Sequence, residues 1–233
     1  MPRKIDPAVH FDDEMSVRYD AFVPRLVPDY AHLHELVVAQ LGLALDEHAR
    51  LLIVGAGTCT EILTLADFDP TWTFVAVEPS APMIDVARAR IADAGLTDRV
   101  AFHVGTLDTL ADQGPFEAAT AILMMQFVPV EEKAALFAEV AQRLAPGAPF
   151  LMAHPIGDPE TDEHALAMQA WRDHLAEVMP DRVETVFGTV QDTLHFVSDT
   201  AQTNMLHDVG FDDVVRFHSK LVFGAWVSVK SSR

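Results

Sequence analysis

Leu51-Leu52-Ile53-Val54-Gly55-Ala56-Gly57-Thr58-Cys59-Thr60-Glu61 restricts the fold of this chain more than any other stretch. The apolar run 51–54 suits a central parallel strand covered on both faces. Gly55 and Gly57 allow backbone angles that side chains forbid, and let a ligand approach the main chain closely. A helix starting at about Thr60 would point free N–H groups, and its positive dipole end, at whatever lies over the turn. This is the geometry of a nucleotide-type site, although a G-x-G turn after a strand also arises for packing alone.

The flanking pattern alternates. Residues 11–43 read as helical: Asp12 or Asp13 caps a first helix, Pro24 and Pro28 end or kink it, and Asp29 caps a second. The second strand is 73–77, closed by Glu78. Ser80 then caps a helix to about Ala94, with Gly95 as the stop. Strands over 100–104, 118–125 and 149–153 follow, with a helix from about Val130 burying Phe137, Val140, Ala141 and Leu144. The spacing predicts an acidic-capped helix over 160–179, gives no clear pattern over 181–198, and predicts a helix over 199–209. Strands 213–218 and 221–229, separated by Ser219-Lys220, form an antiparallel hairpin. The fold class is therefore α/β: a doubly wound, mostly parallel seven-stranded sheet with a C-terminal antiparallel hairpin.

Composition narrows the partners. The net charge is −19, and the 16 Lys and Arg are scattered without a basic run. Nucleic acid is excluded as a partner because nothing concentrates phosphate-neutralising charge. The single cysteine, Cys59, rules out an internal disulfide and suits a reducing cytoplasm. Residues 1–6 show no apolar signal-peptide core. No run reaches the roughly 18 apolar residues of a membrane span, so no membrane partner is expected.

Ligands of doubly wound sheets bind at the carboxyl ends of the strands. Those ends carry Gly55-Ala56-Gly57, then Glu78, placed to hold ribose hydroxyls, then Thr106-Leu107, suited to flank an adenine, then Met124-Met125-Gln126, facing the reacting end of a ligand. Thr60 stands where the dinucleotide fingerprint wants its third glycine.

The marks Val54-Gly55-Ala56-Gly57-Thr58, Val77-Glu78-Pro79-Ser80 with Met83, Gly105-Thr106-Leu107 and Leu144-Ala145-Pro146-Gly147 resemble the class I S-adenosylmethionine-dependent methyltransferases, a Rossmann-like family. A narrower likeness is to the carboxy-S-adenosyl-methionine synthase group, through Arg25-Leu26-Val27-Pro28-Asp29-Tyr30, Gln126-Phe127, Ser198-Asp199 and Phe223-Gly224. The resemblance implies S-adenosyl-L-methionine as cofactor, with Tyr30, Gly55, Ala56, Gly57, Glu78, Pro79, Met83, Thr106, Leu107, Met124 and Gln126 around it. Several positions depart from it. Ile53 replaces an acid before the first glycine, Cys59 a third glycine, and Thr106 an aspartate. Ile122 falls on the group's asparagine, and Thr189 near the arginine that holds the extra carboxylate.

The implied organisation is one domain over 1–233: a helical cover at 11–43, a cofactor-binding core at 50–155, a substrate-side insertion at 156–198, and a closing helix and hairpin at 199–230. The expected activity is methyl transfer to a small-molecule acceptor in the cytoplasm, with a homodimer as the expected assembly. Carboxylated-cofactor synthesis is the alternative, and a non-catalytic cofactor-binding protein the second alternative. His154, at the end of the fifth strand, is the best-placed candidate base, with a structural histidine as its other reading. Cys59 reads either as a thiol at a helix N-terminus or as a small residue in the third glycine's place. Asp158, Glu160, Asp162 and Glu163 read as a helix start, and no metal-ligand spacing appears.

Overall fold

The computed structural model describes residues 2–232, so Met1 and Arg233 lie outside the described residues. Short helix α1 (Pro7–His10) precedes α2 (Asp13–Leu26) and α3 (Tyr30–Ala44). Strands and helices then alternate: β1 (Arg50–Val54), α4 (Thr60–Phe68), β2 (Thr73–Glu78), α5 (Ala81–Asp93), β3 (Val100–Val104), β4 (Ala118–Ile122), α6 (Val130–Arg143) and β5 (Pro149–Pro155). The remainder is α7 (Asp162–Val178), α8 (Val183–Thr193), α9 (Asp199–Asp208), β6 (Phe211–Lys220) and β7 (Phe223–Lys230).

The seven strands form one sheet in the order β3-β2-β1-β4-β5-β7-β6. Pairing is parallel from β3 through β5 and antiparallel at β5–β7 and β7–β6. Strand order reverses between β1 and β4, which opens a crevice at their carboxyl ends. Every residue of β4 and β5 is buried, as is required of strands covered on both faces. Edge strand β6 instead carries Asp212, Asp213, Arg216 and Lys220 and buries only Phe211, which discourages pairing with another sheet.

Several boundaries differ from the sequence reading. Pro24 lies inside α2, which continues to Leu26. Asp12 caps α2 by accepting from the Met15 N–H at 2.9 Å. Asp29 occupies the cap position of α3 with φ +59° but does not cap it; its carboxylate pairs with Lys220 at 3.1 Å. β4 ends at Ile122, because Leu123 takes φ +56° and 125–127 coil into a single 3-10 turn. Met124, Met125 and Gln126 therefore leave the sheet. The hairpin turns at Leu221-Val222, two residues beyond Ser219-Lys220, with Leu221 at φ +53°. The stretch 181–198, which lacks a clear sequence pattern, holds α8, whose Val186 and Val190 are buried one turn apart.

The N-terminal helices cross the carboxyl end of the sheet. Ser80 Oγ donates to Phe11 O at 2.5 Å. On α2, Asp20 accepts from Thr58 Oγ1 at 2.6 Å and pairs with Arg90 at 2.9 Å. Trp171 on α7 donates from its indole to Leu26 O at 2.9 Å, joining the insertion to this cover.

Candidate functional site

The site is built outward from the glycine turn. Gly55 (φ +72°) and Gly57 (φ +54°) both adopt left-handed backbone. A side chain at Gly55 would also strike Met124, whose Cβ would lie 2.7 Å from the new carbon. The Gly55 and Ala56 N–H groups donate to Val77 O at 2.8 and 3.0 Å, fastening the turn to β2. Glu78 completes the fastening. Its Oε2 accepts from the Gly57 N–H at 3.0 Å and its Oε1 from the Ser80 N–H at 2.9 Å. Burial pushes the Glu78 carboxyl above its usual range, and these two donors oppose that shift. Met83 is buried beneath Gly57, while Pro79 is half-buried beside the turn. Thr106 stands exposed at the end of β3, and Leu107 points into the core.

A small pocket of about 30 Å³ opens beside this turn, walled by Ala56, Tyr19, Tyr30, His34 and Glu61. Tyr30 meets His34 edge-on at 4.7 Å, and burial pushes its phenol up to about 12. Burial also lowers His34 to about 4, so the ring is neutral, and neither ring nitrogen has a protein partner. The Glu61 carboxyl is raised to about 7 by burial, and its Oε1 lacks a hydrogen-bond partner.

A second cavity, of about 170 Å³, lies under the helical cover. Its roof is Phe11, Phe22 and Val23, with Val186 and Val190 from α8; its floor is Leu123, Phe127 and Pro155. Tyr19 and Leu123 wall both cavities. Leu123 is the strained element: a bulky residue at φ +56°, its N–H donating to Ala153 O at 2.6 Å. Gln126 braces it, donating from Nε2 to Leu123 O at 2.7 Å. The threonines of α8 offer little polarity, because Thr189 Oγ1 donates to Thr185 O at 3.0 Å and Thr193 Oγ1 to Thr189 O at 2.7 Å.

The structure thus gathers Tyr30, Gly55, Ala56, Gly57, Glu78, Pro79, Met83, Thr106, Met124 and Gln126 along the carboxyl edge, with Leu107 beneath it. His154 is not among them. It is fully buried on β5, 5.2 Å from the Trp226 ring, its Nδ1 facing Pro155 O at 3.0 Å, and it lines neither cavity. Burial drives its pKa down to about 4, so it sits in the core as a neutral ring. Cys59 is also fully buried, at φ +63°, with its thiol pushed up to about 12 by burial. That is the environment of a small residue in a glycine's place and not of a thiolate. Asp158 accepts from the Glu160 N–H, and Thr161, not an acid, caps α7.

Sequence reasoning missed His10, Tyr19, Glu61 and the α8 wall. The repeat Phe11, Met15, Tyr19, Phe22 and Leu26 marks an apolar stripe that runs from just before α2 along that helix, and is the signal that could have found it. His10 and Glu61 carry none.

A family of methyltransferase domains matches residues 51–147. A carboxy-S-adenosyl-L-methionine synthase of Dichelobacter nodosus is 25% identical over 94% of this chain and 92% of its own length. Among solved structures, one from Methanococcus maripaludis, assigned as an S-adenosyl-L-methionine-dependent methyltransferase, superposes with a TM-score of 0.68 at 17% identity, covering 100% of this chain and 98% of its own. A geranyl diphosphate methyltransferase solved with its substrate and sinefungin gives 0.65 at 13% identity, covering 87% of this chain and 77% of its own.

Proposed function

We propose that this chain is a class I S-adenosylmethionine-dependent methyltransferase acting on a small-molecule acceptor, and that its residues divide the work as follows. The bound cofactor supplies an electrophilic methyl carbon on a sulfonium. The protein has to align an acceptor with the S–CH3 bond and exclude water.

Glu78 holds the ribose hydroxyls. Each oxygen already accepts one backbone N–H, and a carboxylate has about four acceptor positions, so two remain. Pro79, Met83, Thr106 and Leu107 flank the adenine. Gly55, Ala56 and Gly57 run against the methionyl chain, with Tyr30, Met124 and Gln126 toward the sulfur. The methionyl end carries an ammonium and a carboxylate, and the small pocket suits it. Glu61 supplies an acceptor without a protein partner, and the neutral His34 ring can donate. The observation that carries this reading is the shared wall. Tyr19 and Leu123 bound both the glycine-turn pocket and the large cavity, so an acceptor in the cavity would lie beside the methionyl part of the cofactor.

The likeness to carboxy-S-adenosyl-L-methionine synthases supports a second reading, in which an additional carboxylate sits beside the sulfur. Such a group needs a charge-assisted partner. Ile122 stands at the position of the expected asparagine and Thr189 near that of the expected arginine, and the Thr189 hydroxyl is bonded to Thr185 O. Arg25 donates to Val178 O, and Arg182 is exposed over the Phe22 ring at 5.6 Å. Methyl transfer is therefore the preferred reading. Mass spectrometry of the nucleotide that copurifies from bacteria separates the two: S-adenosylmethionine or its demethylated product is expected, and a mass larger by one carboxylate would overturn the preference. Calorimetry should show S-adenosylhomocysteine binding where NAD does not. A cytoplasmic homodimer remains part of this proposal, and sedimentation velocity reads its assembly.

A further inference from the structure

The large cavity says more about its occupant than that it is small. An apolar cavity of about 150 Å³ accommodates benzene. At about 170 Å³, this one fits a single ring with a short substituent. Its walls are mainly aromatic and branched aliphatic side chains; several of its polar groups are committed, while Gln126 Oε1 is a buried neutral acceptor without a partner. The Thr189 and Thr193 hydroxyls bond to their own helix, and the Gln126 amide nitrogen bonds to Leu123 O. Among the described lining residues Arg182 is the one fixed charge, and it is exposed at the edge. A charge on the buried part of an acceptor would find no partner there.

One basic group does reach the cavity. His10 is wedged between Phe11 (ring centroids 4.8 Å apart) and Phe127 (5.7 Å). Burial lowers its pKa, the Arg3 charge lowers it further, and Asp12 opposes both. The ring is thus neutral near pH 7 and free to accept a proton.

We propose that the cavity binds an uncharged, mainly apolar acceptor of about one ring that bears a hydroxyl group, and that His10 is the catalytic residue taking the hydroxyl proton. As the hydroxyl oxygen bonds to the methyl carbon, the C–S bond breaks and its electron pair stays on sulfur. The proton passes to a His10 ring nitrogen. This rests on the methyltransferase reading for its cofactor, but the shape and polarity of the cavity stand independently of it.

Three probes share one ring and one ethyl tail: 4-ethylphenol, ethylbenzene and 4-ethylbenzoate. Calorimetry with and without S-adenosylhomocysteine should show 4-ethylphenol and ethylbenzene binding and 4-ethylbenzoate at least tenfold weaker. Equal or tighter binding of the benzoate, or no binding of any probe, would overturn the proposal. Failure of S-adenosylhomocysteine to bind, with the probe order intact, would instead count against the cofactor reading alone. With S-adenosylmethionine, the methyl ether of 4-ethylphenol should form, and kcat should fall on an acid limb below pH 6.5. His10→Gln should lower kcat about 100-fold or more and remove that limb, while changing 4-ethylphenol affinity less than about twofold. Absence of the ether with the phenol bound, or an acid limb unchanged in His10→Gln, would refute the role of His10.

Discussion

The glycine-turn pocket and the acceptor cavity share two residues and little else. The first is about 30 Å³, polar, and made by the glycine turn together with Tyr19, Tyr30, His34 and Glu61 from the helices around it. The second is about 170 Å³, apolar, and made by side chains from helices laid over the sheet. Turn geometry is fixed by φ angles and by Glu78, so few residue types are tolerated there. A helix face needs only apolar side chains of suitable volume, so the acceptor side can change while the cofactor side stays constant. On the proposed function, selectivity for the acceptor would be carried by α1, α2 and α8, which the parallel sheet does not constrain.

The largest expected effect breaks the polar side alone. Glu78→Ala removes the proposed ribose contact and the side-chain part of the tie between β2 and the glycine turn, leaving the two backbone bonds to Val77 O. The loss of a charge-assisted, two-point contact is on the order of a few kcal/mol, so S-adenosylhomocysteine affinity should fall about 100-fold or more. Binding of 4-ethylphenol without cofactor should be unchanged. If both ligands weaken together, the two cavities are not separable and the comparison fails.

The apolar side is broken from α8. Val190 is buried and lines the cavity, and Val190→Phe adds a ring to that space. Overpacking costs about 1–3 kcal/mol, which against a ligand is roughly fivefold to more than 100-fold in affinity. We expect 4-ethylphenol to lose more than tenfold while S-adenosylhomocysteine binds as before. Equal binding of the phenol would show that the cavity is not where it sits.

The same two positions separate what is legible in the amino-acid sequence from what is not. Glu78 is identifiable because a glycine turn and an acid at the next strand end constrain each other through backbone geometry. Val190 is not. In 181–198 the apolar residues are interrupted by Thr185, Gly188 and Thr189, and threonine and glycine are poor helix formers; the Thr189 and Thr193 hydroxyls bond back to carbonyls one turn earlier, and the helix is held by the burial of Val186 and Val190. Strand β4 is shorter than its pattern predicts for a related reason. Ala118 to Met125 is almost continuously apolar, and only the left-handed Leu123, a tertiary requirement of the crevice, ends the strand. His154 eludes the sequence reading because a strand end shows which residue is last but not which way the chain bends next. The β5–β7 pairing carries it into the core, opposite Gly224.

A smaller effect sharpens the polar side through pH. Glu61 has its carboxyl raised to about 7 by burial. An ammonium favours the ionised form, so S-adenosylhomocysteine should bind about tenfold more tightly at pH 8 than at pH 6, as one coupled proton is lost. Glu61→Gln should flatten this dependence. The free protein runs the other way. A carboxyl that holds its proton more tightly folded than unfolded stabilises below its unfolded value of 4.5, and that stability is lost as pH rises through about 7. Melting of the free protein should reveal this as a fall in Tm across that window, reduced in Glu61→Gln.

The smallest effect concerns Cys59, where backbone and side chain oppose each other. At φ +63° a non-glycine residue costs about 1–2 kcal/mol, so Cys59→Gly relieves strain at the N-cap of α4. The thiol, however, is fully buried in the larger core beside the turn, and removing it leaves a small void whose cost is of similar size. Glycine also has more conformational freedom to lose on folding, about 0.5–1 kcal/mol. The terms nearly cancel, so Cys59→Gly should change unfolding free energy by about 1 kcal/mol or less and leave S-adenosylhomocysteine affinity within about twofold. The native thiol should resist iodoacetamide at pH 8, because it is enclosed and its pKa is held near 12. Rapid alkylation of folded protein, or a large loss of cofactor affinity in Cys59→Gly, would make this position part of the polar site and not merely the third glycine's replacement.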